Sequence, residues 1–189
     1  AYTKKIKKIK YSNNLSLNPE LFCKIIQNEK IKLVFIANPN MPTGTIKSIK
    51  AIEEILKIAS KCKTIVIIDE AYYWFSNITL SPLIKKYSNL IIVRTFSKAF
   101  GLAGLRVGFC ISSKQRINEL FLLKPIVESN SLGIKISEYA LDNFGWINKK
   151  IDNIVCAREY IYNKLIENKI FTHKSHNNFI LVKSKNFDS

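Results

Sequence analysis

An amine, two hydroxyls and a guanidinium lie close together in the middle of this 189-residue sequence. Lys98 ends the tetrapeptide Thr95-Phe96-Ser97-Lys98, and Arg106 follows eight residues later. A lysine amine that loses its proton through desolvation or a nearby cation can form a Schiff base with an aldehyde. Arginine binds phosphate through two parallel hydrogen bonds, and Thr95 and Ser97 offer hydroxyl donors beside it. The segment predicts Schiff-base chemistry next to a bound phosphate.

A carboxylate and a phenol form a second group of candidates. Asp69 directly follows the apolar run at residues 64–68, which is typical of a buried strand. A carboxylate at the end of such a strand must find a cationic or hydrogen-bonding partner. Tyr72 comes three residues later, and its ring fits a core position as well as a binding role.

Four apolar runs rich in β-branched residues predict the strands that position these groups: residues 31–37, 64–68, 90–94 and 107–111. Between the first two, apolar residues recur at helical spacing from Ile49 to Ala59. This alternation predicts an α/β fold with a mostly parallel sheet and helices on both faces. Ligands of such sheets bind outside the carboxyl ends of the strands, where Asn38, Asp69 and Lys98 fall.

The remainder of the chain is predicted to be largely helical. Residues 113–143 are expected to form helices with a break at Pro125, and residues 147–168 one long helix. Two short strands are predicted at residues 170–172 and 178–182. A domain boundary near Gly145 would divide the chain into part of a large domain (residues 1–145) and the beginning of a small α+β domain (residues 146–189).

Charge and composition indicate which classes of binding partner to expect. The net charge is +16, but the lysines are spread along the chain and only four residues are arginine, whereas nucleic-acid binders cluster their basic residues. We therefore expect no nucleic-acid partner, and we interpret the densest basic run, residues 4–10, as a solvated strand or helix face. No apolar run is long enough to span a bilayer and no signal peptide is evident, so no membrane partner is expected.

The cysteines and histidines suggest no metal site. The four cysteines are far apart in sequence, and His173 and His176 lack a third ligand nearby. Free thiols, buried or partly buried in a reducing cytosol, are the expectation.

Taken in order, the motifs resemble those of class I/II aminotransferases, enzymes that use pyridoxal 5'-phosphate, and in particular histidinol-phosphate aminotransferases and their relatives. The motifs are Asn38-Pro39-Asn40-Met41-Pro42-Thr43-Gly44, Asp69-Glu70-Ala71-Tyr72, Thr95-Phe96-Ser97-Lys98 and Gly104-Leu105-Arg106-Val107-Gly108. The resemblance extends from about Tyr2 to Val182. Family members are about twice this length, so an internal fragment is expected.

The resemblance implies a function and a role for each candidate. Lys98 would hold the cofactor as a Schiff base and move a proton between the substrate Cα and the cofactor. Asp69 would lie against the pyridine nitrogen and Tyr72 against the phenolic oxygen. Thr95, Ser97 and Arg106 would bind the phosphate. The implied reaction moves an amino group from an amino acid or amine, such as histidinol phosphate, to a 2-oxo acid such as 2-oxoglutarate. A cytoplasmic homodimer acting in amino-acid biosynthesis is the expected setting.

Two positions depart from the family pattern. Met41 replaces an asparagine that contacts the phenolic oxygen, and a thioether is a poor acceptor and no donor. Glu128 stands where histidinol-phosphate aminotransferases tend to carry asparagine, which would alter the substrates that fit. Both departures favour a relative of that enzyme over the enzyme itself.

Other functions stay open at this point. A lyase of the same fold, such as a phosphothreonine-type decarboxylase, would hold the cofactor with the same Lys, Asp and Arg. A cofactor-sensing module of a transcription regulator, or a basic nucleic-acid-binding fragment, would be non-enzymatic. The arginine that binds the substrate carboxylate and the aromatic residue that stacks on the pyridine ring are expected outside this sequence.

Overall fold

A computed structural model describes residues 5–11, 15, 17–123 and 130–183. Its centre is a four-stranded sheet in the order β1-β2-β3-β4. Strands β1 (Leu33–Ala37), β2 (Ile65–Asp69) and β3 (Leu90–Thr95) are parallel, and β4 (Gly108–Ser112) is antiparallel to β3. The predicted α/β class with a mostly parallel sheet is confirmed.

Six α-helices accompany the strands in the part of the chain that the structure describes. They are α1 (Pro19–Asn28), α2 (Ile49–Lys61), α3 (Tyr73–Ser76), α4 (Lys114–Leu123), α5 (Ser131–Asp142) and α6 (Phe144–Glu167), and short 3-10 turns cover Ser81–Lys85 and Ala103–Leu105. Helix α2 begins where the Ser48 side chain accepts a hydrogen bond from the Ala51 amide at 3.2 Å. The helical spacing predicted α2 and α6, whereas it gave no indication of α1.

The main core lies between the sheet and helices α1 and α2. Alternate residues of β1 and β2, namely Val34, Ile36, Val66 and Ile68, are buried against this layer. On the opposite face of β1, Leu33 and Phe35 are exposed, so β1 is a half-buried strand and not the fully buried one that its composition predicted. A second cluster joins α3 to α6 and is formed by Tyr72, Phe75, Ala99, Ile147 and Ile151.

Several predictions about the chain ends were wrong. The strands expected at 170–172 and 178–182 are reduced to one antiparallel bridge between Thr172 and Val182. Residues 5–10 form neither helix nor strand, although Ile9 packs against the core.

Other predictions are not tested by the structure. Pro125 and Glu128 lie outside the described residues. The domain boundary near Gly145 falls in the first turn of α6, and the division into two domains stays a prediction.

The cysteines are free, as predicted, but only Cys23 is half-buried and the other three are exposed. Among the described residues, no three His, Cys, Asp or Glu side chains are grouped closely enough to hold a metal ion. The helices that the structure describes include none with the length and hydropathy needed to cross a membrane.

Candidate active site

The carboxyl end of β2 places Asp69 between two neighbouring strands. Asp69 pairs with Ala37 of β1 and with Val93 of β3. Its main-chain oxygen accepts a hydrogen bond from the Asn38 amide at 2.9 Å, and its carboxylate Oδ1 accepts one from the Ala71 amide at 2.9 Å. Asn38 and Asp69 therefore meet at one edge of the sheet, as the order of strands predicted.

Tyr72 lies where three segments of the chain meet. Its ring is buried, and the Lys98 Nζ atom lies 5.6 Å from the ring centroid. Phe179 packs edge-on against the same ring, with 5.5 Å between the centroids. The Tyr72 hydroxyl donates a hydrogen bond to the Met41 sulfur at 3.5 Å. The tyrosine thus links the lysine to the loop formed by residues 38–44 and to the C-terminal part of the chain.

The Met41 contact explains what the departure from the family pattern does locally. Sulfur is a weak acceptor, so the Tyr72 hydroxyl keeps an orienting partner but no strong one. The Met41 side chain is 62% exposed. The structure therefore places a thioether at the position where the resemblance implies an amide.

Thr95 is the last residue of β3, and the turn that follows carries Ser97 and Lys98. The Thr95 hydroxyl accepts a hydrogen bond from the Ser97 amide at 3.0 Å, and the Lys98 carbonyl accepts one from the Gly101 amide at 3.2 Å. The Lys98 side chain is exposed at the end of this turn. The hydroxyl of Thr95 shapes the turn, and its second lone pair and its proton stay available to a ligand.

Arg106 lies two residues before β4, directly after the 3-10 turn at Ala103–Leu105. It adopts a left-handed conformation with φ of 55°, and its Nη1 donates to the Ala103 carbonyl at 3.3 Å. The Phe96 amide donates to the Val107 carbonyl at 3.2 Å, which brings the strand that follows Arg106 against the turn. Gly108 permits this approach, because a Cβ atom there would lie 2.7 Å from the Arg94 carbonyl oxygen. All six predicted site residues thus lie at strand ends around β2, β3 and β4.

Glu70 and Arg94 form a buried ion pair next to these residues, which the sequence analysis did not predict. Glu70 is fully buried, and the Arg94 side chain is 9% exposed. Arg94 Nε and Nη2 donate to Glu70 Oε2 at 3.0 and 2.8 Å. The Glu70 carboxylate also accepts hydrogen bonds from the Thr79 hydroxyl and, at 2.7 Å, from the Leu80 amide. Both charges are thereby satisfied by hydrogen bonds, which is what a buried pair requires.

The ion pair is directly connected to the candidate residues. Glu70 follows Asp69, and Arg94 precedes Thr95. The Arg94 guanidinium also stacks over the Tyr73 ring, with its Cζ 3.6 Å from the ring centroid. Two opposite charges at the ends of neighbouring apolar strands are a signal from which the pair could have been predicted.

The C-terminal segment, residues 172–182, closes over the 38–44 loop. The His176 amide donates to the Gly44 carbonyl at 2.8 Å, and the Asn177 Nδ2 donates to the Asn40 carbonyl at 2.8 Å. Ser175 packs so closely that a Cβ atom on Gly44 would lie 2.1 Å from its Oγ. No local pattern in the sequence indicates these contacts.

The residue types at this edge suit pyridoxal 5'-phosphate. Lys98 supplies an exposed amine, Asp69 a carboxylate that keeps a free oxygen, and Tyr72 an oriented hydroxyl. Thr95 and Ser97 offer two hydroxyls at the carboxyl end of β3, and Arg106 offers a guanidinium two residues before β4; these residue types suit a phosphate. The one poor match is the Met41 thioether.

Comparison with known proteins identifies the family. The model of the family described as aminotransferase class I and II matches residues 1–186. A histidinol-phosphate aminotransferase of Caldanaerobacter subterraneus is 39% identical over 179 residues, which are 94% of this chain and 50% of the relative. The chain thus spans about half the length of the curated relatives that it matches.

Solved structures share the fold. The histidinol-phosphate aminotransferase from Clostridium acetobutylicum superposes with a TM-score of 0.82 at 23% identity, covering 93% of this chain and 54% of that one. The L-threonine-O-3-phosphate decarboxylase from Porphyromonas gingivalis superposes with a TM-score of 0.71 at 23% identity, covering 82% and 48%. The fold is therefore common to an aminotransferase and a decarboxylase.

The family match confirms the resemblance stated from the motifs, and with it pyridoxal 5'-phosphate as the cofactor. The chain belongs to the class I and II aminotransferases.

Proposed function

We propose that the intact protein is an aminotransferase that moves an amino group between an amino acid or amine and a 2-oxo acid. The observation that carries this proposal is the placement of the Lys98 amine over the Tyr72 ring, at the strand edge that also bears Asp69. The similarity to histidinol-phosphate aminotransferases supports it.

The cofactor supplies an aldehyde carbon for covalent attachment and a ring that accepts electron density from the reacting carbon. Asp69 lies in a half-buried position, where a carboxylate favours a protonated nitrogen opposite to it. Lys98 holds or moves the proton at the reacting carbon through its Nζ atom. Thr95, Ser97 and Arg106 would bind the phosphate of the cofactor.

Histidinol phosphate or a related amine is the proposed donor, and 2-oxoglutarate the proposed acceptor. The curated relatives support the donor class, whereas Met41 and Glu128 favour a related compound over histidinol phosphate itself. Because the Met41 thioether is a poor acceptor and no donor, Tyr72 would be the stronger hydrogen-bonding partner of the cofactor's phenolic oxygen. A homodimer in the cytoplasm, acting in amino-acid biosynthesis, completes the proposal. Free thiols at Cys62, Cys110 and Cys156 are consistent with a reducing compartment.

Replacement of Lys98 tests the site directly. The intact protein is incubated with pyridoxal 5'-phosphate and reduced with borohydride, and its peptides are analysed by mass spectrometry. We expect the added mass on the Lys98 peptide in the wild type and in the control variant Lys61→Ala, and no added mass at this position in Lys98→Ala. Labelling elsewhere in the wild type, with Lys98 unlabelled, would refute the assignment.

Product analysis tests the reaction. With histidinol phosphate and 2-oxoglutarate, or with related phosphorylated amines as donors, we expect glutamate to form as the donor is consumed. Release of carbon dioxide from an amino acid, without transfer of its amino group, would instead establish the decarboxylase alternative, whose fold this chain shares.

A further inference from the structure

We propose that Asn177 is a positioning residue for the candidate active site. Asn177 holds the 38–44 loop in place against Tyr72 and couples that loop to α6. The positioning of the loop by Asn177 is argued from the geometry alone. The consequence that losing Asn177 weakens cofactor binding rests on the proposed function.

The Asn177 side chain is fully buried and makes a tertiary contact across 137 residues of sequence. The side-chain Nδ2 donates to the Asn40 carbonyl at 2.8 Å, and the main-chain amide of Asn177 donates to the Ser175 hydroxyl at 3.1 Å. A buried donor of this kind is expensive to lose, because the carbonyl it served is left without that partner in a dry environment. The side-chain amide of Asn177 therefore specifies where the loop and the C-terminal segment meet.

The loop has its own internal hydrogen bonds, which make it a unit that can be positioned as a whole. The Asn40 carbonyl accepts from the Gly44 amide at 2.9 Å, and the Asn40 amide donates to the Thr45 carbonyl at 2.8 Å. The Thr43 hydroxyl donates to the Asn40 side-chain oxygen at 2.8 Å. These bonds fix the shape of the turn. The Asn177 side chain adds a bond that fixes where the turn lies, next to the bond from the His176 amide to the Gly44 carbonyl.

Two routes lead from Asn177 to Tyr72. Through the loop, Asn40 is followed by Met41, whose sulfur accepts the hydrogen bond of the Tyr72 hydroxyl. Directly along the C-terminal segment, Phe179 packs its edge against the Tyr72 ring. A shift of Asn177 therefore changes both contacts that orient Tyr72 from this side.

On its other side, Asn177 is held by α6. Arg158 is a buried residue of this helix, and its Nη1 donates to the Asn177 carbonyl at 2.9 Å. The same guanidinium pairs with Glu159 at 2.8 Å, and Lys174 lies 3.6 Å from the second carboxylate oxygen. The path from α6 to the loop thus consists of two hydrogen bonds, both on Asn177.

The test compares Asn177→Asp with Asn178→Asp in the intact protein above about pH 8. At this pH an aspartate stays ionised and cannot donate to a carbonyl. Asn178 is the neighbouring residue, has the same side chain and is exposed, so it provides a matched control. Asn177→Leu, which has a similar shape and no donor, provides a second variant in case the aspartate prevents folding.

Amide hydrogen exchange gives the first measurement. In Asn177→Asp or Asn177→Leu, we expect the Gly44 and His176 amides to exchange about tenfold faster, corresponding to one lost hydrogen bond. The Val66 amide of β2 and all amides of Asn178→Asp are expected to keep the wild-type rates. Unchanged rates at Gly44 and His176 would overturn the proposal, and so would an equal increase at Val66, because it would assign Asn177 to general stability.

Cofactor binding gives the second measurement. Titration with pyridoxal 5'-phosphate is expected to show several-fold weaker binding in the Asn177 variants and wild-type affinity in Asn178→Asp. Wild-type affinity in the Asn177 variants would overturn the role in the site, even if the loop exchanges faster. If the wild-type protein does not attach the cofactor at Lys98, the proposed function fails, and the exchange experiment still decides whether Asn177 positions the loop.

Discussion

Two regions meet at Tyr72 but are held in different ways: the strand-end region, residues 69–72 and 94–98, which contains this tyrosine, and the C-terminal segment, residues 172–182, which packs on its ring. The strand-end region is fixed by the pairing of β2 with β3 and by the buried Glu70–Arg94 pair. The C-terminal segment is held by single hydrogen bonds with Gly44, Asn40 and Arg158 and by the edge contact of Phe179 with Tyr72. Its one isolated bridge lies within the segment itself. The candidate active site thus combines a strongly fixed inner side with a weakly fixed outer side.

The difference follows from the kind of interaction. Neighbouring hydrogen bonds of a sheet form together. The fully buried Glu70 carboxylate accepts hydrogen bonds from four donor groups, and losing one of these partners is costly. A segment held by separate hydrogen bonds opens at a fraction of the global free energy of unfolding. Changes in the first region should therefore unfold the protein, whereas changes in the second should loosen the site while the core stays folded.

The largest expected effect comes from Glu70→Gln. This change leaves the buried Arg94 guanidinium without its counter-charge, and breaking one side of a buried pair costs about 3–5 kcal/mol. Urea unfolding of the intact protein measures the loss. The control is Glu53→Gln, which removes the exposed pair with Lys86 and should leave the unfolding midpoint close to that of the wild type. Equal midpoints for the two variants would remove the distinction between the regions.

An intermediate effect is expected where the C-terminal segment packs on the 38–44 loop, and it can be isolated with two glycines. Gly44 and Gly101 have φ values of +70° and +69°, so alanine at either position adopts a left-handed conformation that costs about 1–2 kcal/mol. A Cβ atom on Gly101 meets nothing within 4 Å, whereas on Gly44 it lies 2.1 Å from the Ser175 Oγ. Gly44→Ala should therefore lose more stability than Gly101→Ala.

The extra loss of stability in Gly44→Ala over Gly101→Ala measures how tightly the C-terminal segment packs on the loop. Overpacking of this kind adds about 1–3 kcal/mol when the neighbour cannot move. Thermal unfolding of both variants gives the difference. Measured against Ser175→Gly alone, which lacks the hydroxyl that accepts from the Asn177 amide, Gly44→Ala should cost less than it does in the wild type, because the Oγ and Cβ atoms that it would meet are gone. Identical losses in the two single variants would show that the segment moves aside freely, and the outer side would then be weaker than we infer.

The same contrast separates what the sequence could predict from what it could not. The strand-end region is encoded locally, because each apolar run ends at the residue that carries the chemistry, as Ile68 is followed by Asp69. The Glu70–Arg94 pair was within reach of the same reasoning, since both charges stand at the ends of adjacent apolar strands. Local patterns and their order therefore sufficed for the α/β fold and for placing Asn38, Asp69 and Lys98 near the carboxyl ends of the strands.

The C-terminal segment was predicted poorly because its structure depends on distant partners. Phe171 and Leu181 suggested strands, but both are exposed and only Thr172 and Val182 form a bridge. Strand preference is expressed only against a neighbouring strand. The hydrogen bond from Asn177 to Asn40 spans 137 residues and leaves no periodic signal that a single sequence would reveal.

The smallest expected effect is a pH dependence of the outer side, which centres on His176. Burial, and then the nearby positive charges of Arg158 and Lys174, lower the pKa of this imidazole below its ordinary value, while Glu159 acts in the opposite direction. The unfolded chain therefore binds a proton at a higher pH than the folded chain does. The contribution of neutral His176 to stability is complete above the unfolded pKa of about 6.5 and is lost as the pH falls toward the lowered folded value.

His176→Gln tests this sign, because glutamine does not titrate in this range. Between about pH 8 and pH 5, the free energy of unfolding of the wild type should fall more than that of the variant. The Gly44 and His176 amides report the loop contact, so their exchange rates, corrected for the intrinsic effect of pH, should rise in the wild type before those of the β2 amides do. The effect should be small because His176 is only half-buried. A wild type that becomes relatively more stable on acidification would contradict the lowered pKa. Simultaneous loosening of β2 would show that the outer side does not open independently of the strand ends.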